Sequence, residues 1–93
     1  MAEMIKCTVI DPVGLYATPA TELVNLVKKF NSHVTLYYED KHVNLKSMMG
    51  VLSLGIPTKA NLEIIVEGED EKQAVKEIID KINELNIAII PTK

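Results

Sequence analysis

Ninety-three residues, 47% of them hydrophobic, suffice for one small domain with a real core and exclude two. A net charge of −3 speaks against nucleic acid as the main partner, because a phosphate backbone calls for a basic face. Cys7 is the only cysteine, which excludes an internal disulfide and a CxxC metal or redox site.

Met4 to Ile10 alternates, with Ile5, Cys7 and Val9 on one face, and reads as a strand. Asp11-Pro12-Val13-Gly14 breaks it with turn residues. Thr18 and Pro19 then read as an N-cap followed by proline at the first helical position. Ala20, Leu23, Val24, Val27 and Phe30 give that helix one apolar stripe, with Lys28 and Lys29 at its end. Val34, Leu36 and Tyr38 alternate again, Glu39-Asp40-Lys41 turns, and Val43 and Leu45 continue, which together make a hairpin. Ser47 caps a short helix over Met48 to Leu54, stopped by Gly55 and Pro57. Leu62, Ile64 and Val66 form a fourth strand. Asp70 and Gln73 have capping-box spacing and open a last helix with Ala74, Val75, Ile78, Ile82 and Leu85 on its inner face. The tail from Asn86 to Lys93 is apolar for its length, and either extends the packing of the last helix or lies on a sheet edge.

The order βαββαβα describes a single α+β domain over residues 1–93, an antiparallel sheet covered by helices on one side. Nothing near the start reads as a signal peptide. No apolar run is long enough to span a membrane, so a cytoplasmic location without membrane insertion is expected. All ten basic residues are lysines. Arginine is the side chain best shaped to grip a phosphoryl group with two parallel hydrogen bonds, so an acylphosphatase-like hydrolase is a poor fit. One Phe and three Tyr on an acidic chain make an RNA-recognition domain equally poor. No Ser-His-Asp or Cys-His arrangement is suggested either, since only His33 and His42 exist, both in or beside strand segments. Pattern alone ends at a small α+β interaction module.

Two segments reach further. Gly14-Leu15-Tyr16-Ala17-Thr18-Pro19-Ala20 resembles Gly-Leu-His-Ala-Arg-Pro-Ala, the active-site signature of the HPr family, the small phosphocarriers of the bacterial phosphoenolpyruvate-dependent sugar phosphotransferase system. Asn44 to Gly55 resembles the regulatory segment of HPr from Gram-positive bacteria, and the separation of the two segments also matches. The resemblance implies an HPr-like open-faced β-sandwich, a four-stranded antiparallel sheet of order 1-4-2-3 with three helices on one face. It implies a phosphocarrier-like or regulatory protein, not an independent catalyst, with no cofactor and no metal.

In the family, the histidine at the position of Tyr16 takes a phosphoryl group from Enzyme I and passes it on. Histidine, with a pKa of about 6.5, offers a neutral nucleophilic nitrogen at cellular pH, whereas tyrosine, at about 10, stays protonated. The family arginine that steadies the phosphoryl group is replaced by Thr18, whose bland reading is a helix N-cap. Tyr16 thus reads as the relic of a catalytic position. Ser47 stands where the family serine is phosphorylated by an ATP-dependent kinase, and otherwise reads as an N-cap. Lys46, Met48, Met49 and Leu52 stand at the family's partner-docking positions, with Met48 and Leu52 expected partly exposed and Val51 and Leu54 facing the sheet.

The first reading is a regulatory paralogue in carbon catabolite control, Crh-like in keeping the serine and lacking the histidine. The partners implied are HPr kinase/phosphorylase and Enzyme I or a catabolite-control transcription factor, with the chain a monomer or homodimer. The alternatives are a phosphocarrier still active in phosphoryl transfer and sugar uptake, and a bare interaction module.

Overall fold

In a computed structural model, which describes residues 2–90, the chain runs β1 (Ala2–Val9), α1 (Ala17–Val27), β2 (His33–Tyr38), β3 (Lys41–Asn44), α2 (Met48–Ser53), β4 (Asn61–Glu67), α3 (Glu71–Leu85) and β5 (Ala88–Ile89). The sheet order is β3-β2-β4-β1-β5, every neighbour antiparallel. The expected order 1-4-2-3 is therefore present, but the sheet has five strands and not four.

Register explains the core. Leu36, Ile64 and Ile5 lie opposite one another across β2, β4 and β1, and Val34 opposes Val66 two residues along. Period-two alternation turns all of them to the face that the helices cover, where each is buried. The stripes Ala20, Leu23, Val24, Val27 of α1 and Ala74, Ile78, Ile82 of α3 close over that face. Val75 and Leu85, expected on the inner face of α3, are only partly buried at its margin. The other face, with Lys6, Thr8, Tyr37 and Glu63, is left uncovered by helices.

Two expected helix caps are built differently. Helix α1 starts two residues early: its N-cap is Tyr16 in extended conformation (φ −110°, ψ −172°), so Thr18 lies inside the helix and caps nothing. Proline is tolerated at any of the first positions, because those N–H groups have no intrahelical partner in any case. Pro19 therefore marks the first turn and not the first residue. At α3, the Asp70 carboxylate makes no cap bond to its own helix and Gln73 reaches forward to Glu77 (2.8 Å). Asp70 instead accepts hydrogen bonds from the N–H groups of Asn31 (2.8 Å) and Ser32 (3.0 Å) and from the Ser32 hydroxyl. Ser32 is fully buried and must find a partner, and Asp70 provides it.

The tail resolves onto a sheet edge. Asn86 takes a left-handed conformation (φ 55°), which asparagine tolerates, and ends α3. Ile87 and Ala88 are then buried, and Ala88 and Ile89 pair with Val9 and Thr8. Residues 91–93 lie outside the described residues. Among the described residues, no helix is long and apolar enough to cross a membrane.

Candidate functional site

The loop joining β1 to α1 is held almost entirely by backbone hydrogen bonds. Ile10 and Asp11 both donate their N–H groups to the Ile87 carbonyl (2.8 and 3.3 Å). Val13 N–H donates to the Asp11 carboxylate (2.9 Å) and Gly14 N–H to the Asp11 carbonyl (3.0 Å). Leu15 N–H donates to the Ile56 carbonyl (3.0 Å), just beyond α2. Every N–H that residues 10–15 possess is thus engaged, Pro12 having none. At Gly14 (φ 93°) an added side chain would run into the Ile56 carbonyl, so glycine is needed for both its conformation and its lack of bulk.

Tyr16 emerges from this loop with its ring exposed, and its carbonyl accepts the first helical bond of α1 from Ala20 (3.0 Å). No side chain caps the helix start, and Thr18 is exposed beside it. The N–H donors left here for an added anion are those of Tyr16 and of the first helical turn, and Pro19 removes one of the latter.

Ser47 begins α2 as its N-cap, in extended conformation, with its hydroxyl oxygen accepting from Gly50 N–H at 3.1 Å. The preceding turn is fixed by Asn44, whose side-chain oxygen accepts from Lys46 N–H (2.9 Å) and whose carbonyl accepts from Ser47 N–H (2.9 Å). Lys46 points away from the serine. Its ammonium donates to the Phe30 carbonyl at 2.7 Å, tying this turn to the end of α1.

Helix α2 is six residues long and buries one side only. Val51 is buried and Leu54 nearly so, while Leu52 is exposed and Met49 is 80% exposed. Met48 is intermediate. It packs against the core edge and its sulfur accepts a long hydrogen bond from the Thr21 hydroxyl (3.8 Å). The structure thus brings Tyr16, Thr18, Ser47, Met48, Met49 and Leu52 to the neighbouring helices α1 and α2, and sends Lys46 elsewhere.

The other reactive side chains do not join them. His33 pairs across from Glu67, as Ala2 does from the far side of β4, so it lies at the end of the sheet opposite the loop. His42 stacks on Tyr37 (5.3 Å between ring centres). Burial pushes the Cys7 thiol up to about 11, so it stays protonated and unreactive at neutral pH. Among the described residues, no three His, Cys, Asp or Glu side chains gather where a metal ion could sit.

Residues 4–84 match the family model described as the PTS HPr component phosphorylation site. The chain belongs to the HPr family. Its fold is also that of solved HPr structures. A Mycoplasma histidine-containing phosphocarrier protein is 32% identical, with 91% of this chain and 97% of that one covered and a TM-score of 0.90. HPr from Bacillus anthracis strain Ames is 30% identical over 86% of this chain and 95% of that one, with a TM-score of 0.78. Crh, the catabolite repression protein of Bacillus subtilis, whose crystal structure is a domain-swapped dimer, is 36% identical over 80% and 85%, with a TM-score of 0.68. HPr-family proteins are phosphocarriers and not independent catalysts.

Sequence reading missed the two holds on the Tyr16 loop, the Ile87 carbonyl and the Ile56 carbonyl. Gly14 was the available signal for the second. The apolar run after Asn86 was the signal for the first, but it could not say which strand would receive it. Strand β5 lies beyond the residues that match the family model.

Proposed function

We propose that this chain is a regulatory HPr-family protein of the phosphotransferase system, a phosphate acceptor at Ser47 and not a histidyl phosphocarrier. The observation that carries this reading is the residue at the exposed tip of the first motif. It is Tyr16, with Thr18 two residues on, where a carrier needs histidine and arginine. A phenol is a weak nucleophile beside an imidazole, and a phosphotyrosine ester is a poor donor to a next acceptor. No arginine exists anywhere in the chain to replace the lost charge.

Ser47 keeps what an acceptor needs. It is exposed, it starts a helix, and a phosphate there would meet the free N–H groups of the first turn. The kinase that would act on it is an HPr kinase/phosphorylase using ATP. A catabolite-control transcription factor would read the product in the cytoplasm, and the exposed Met49 and Leu52 would supply the contact.

A carrier role is the second reading, favoured by the close likeness to the Mycoplasma phosphocarrier. The two part on one experiment. With phosphoenolpyruvate and Enzyme I the wild-type chain should gain no acid-labile phosphate, whereas Tyr16→His combined with Thr18→Arg should gain some, and more than Tyr16→His alone. Labelling of the wild type on a histidine would overturn the proposal in favour of the carrier.

A further inference from the structure

The loop into Tyr16 hangs between two anchors of unequal strength. The Ile56 carbonyl, which receives Leu15 N–H, leads into a turn locked to the sheet on both sides. Lys59 N–H donates to the Val9 carbonyl (2.8 Å), and Val9 N–H donates to the Ala60 carbonyl (2.9 Å). The other anchor is the Ile87 carbonyl, shared by Ile10 N–H and Asp11 N–H, neither of which has another acceptor among the described residues. It lies beyond residues 4–84, the part of the chain that matches the family model.

The second anchor is much the weaker. Strand β5 pairs with β1 only at Thr8 and Val9, whereas β4 pairs with it from Ala2 to Thr8. Pro91, next but one after β5, has no N–H with which to lengthen a ladder. Asn86 supplies a single-residue hinge in left-handed conformation between α3 and this segment. Under the segment lies an apolar cavity of about 20 Å³, lined by Ile87, Ala88, Val9 and Leu15 among others. The side chains around that void forfeit part of their dispersion energy. Short pairing, a hinge and incomplete packing put residues 86–90 at the low-stability end of the molecule.

We infer that residues 86–90 form a strap whose docking controls the loop of the first motif. Docked, the strap fixes Ile10 and Asp11. Undocked, it releases the segment from Ile10 to Gly14, and Tyr16 is then presented from a loose loop. The coupling runs through Asp11, whose carboxylate and carbonyl orient Val13 N–H and Gly14 N–H. It is reciprocal: whatever binds the first motif in its fixed form holds the strap down, and whatever draws the strap away loosens the motif. This control is independent of whether Ser47 accepts phosphate.

The test is native-state amide hydrogen exchange of the full chain at low denaturant. In the wild type, Ile10, Asp11 and Ile89 should exchange through one shared opening, with protection at least about a hundredfold below that of Ile64 in the central strand. In Ile87→Asp a carboxylate replaces a buried apolar side chain and undocks the strap. Exchange at Ile10, Asp11, Val13 and Gly14 should then quicken at least about tenfold, while Val51 of α2 changes less than about threefold. Ile89→Lys, at a side chain that is already exposed, should leave all of them within about threefold of wild type. The inference is overturned if Ile10 and Asp11 open only with the central strand, if they open independently of Ile89, or if they keep wild-type protection in Ile87→Asp. Should Ile87→Asp fail to fold, the wild-type comparison decides alone.

Discussion

The starts of α1 and α2 belong to neighbouring helices and are built on opposite principles. At α2 the side chain is part of the structure, since the Ser47 hydroxyl holds Gly50 N–H at 3.1 Å. At α1 the side chain is not used. The loop into Tyr16 is fixed by the carbonyls of Ile87, Asp11 and Ile56 and the carboxylate of Asp11, and Tyr16 contributes only its backbone. The fold therefore asks a hydrogen bond of the side chain at residue 47 and none of the side chain at residue 16. A position of the second kind can change its side chain without weakening the domain, so the fold is compatible with the change of role proposed above.

That contrast can be broken by mutation. The largest effect is expected at Val51, which anchors α2 and is 1% exposed. Val51→Asp should cost about 4–5 kcal/mol or more and unfold much of the population in a denaturant titration, because an unpaired carboxylate cannot be accommodated there. Gly14→Ala should come next, at about 1–3 kcal/mol, from its positive φ and the close Ile56 carbonyl. Its amide spectrum should change chiefly along residues 10–16.

The pair that sharpens the contrast is smaller. Ser47→Ala should lose about 1 kcal/mol through the missing cap. Tyr16→His should stay within about 0.5 kcal/mol of wild type, as a surface change without a structural partner does. Equal losses from the two would show that the tyrosine ring supports the loop after all.

The smallest effect is expected at Asp70 and depends on pH. Hydrogen bonds from Ser32, then Asn31, hold the Asp70 carboxyl below the usual carboxylate range. A carboxyl with a depressed folded pKa stabilises the native state above its unfolded value, about 3.9, and loses that contribution as pH falls through the lower folded value. Asp70→Asn should therefore lower Tm above about pH 4, where the carboxylate contributes, and flatten the acid limb below it. An unchanged acid limb would show that the loop and α3 are coupled by other contacts.

Much of this fold was legible because its signals are periodic. The alternation Ile5-Cys7-Val9 and Leu62-Ile64-Val66 and the stripe from Ala20 to Val27 fall on one buried face, as their spacing requires. The caps were less legible. Pro19 marks a helix start only to within a turn, and Asp70 had a tertiary partner, Ser32, that no local pattern announces. Strand β5 follows from an apolar tail whose acceptor is β1, some eighty residues earlier in the chain. The partial exposure of Met48 and Leu52 was legible from the second motif segment. The direction of Lys46 was not, because its ammonium answers a carbonyl on another element.

The cap role alone is enough to explain a serine at position 47, so the claim that Ser47 is also an acceptor needs its own measurement. The most direct one is mass spectrometry of the intact chain and its peptides after treatment with ATP and HPr kinase. The expected result is one phosphate on Ser47, absent from Ser47→Ala and retained by Ser53→Ala. An unmodified wild-type chain, under conditions in which the kinase fully modifies a conventional HPr, would contradict it and leave Ser47 as a helix cap alone.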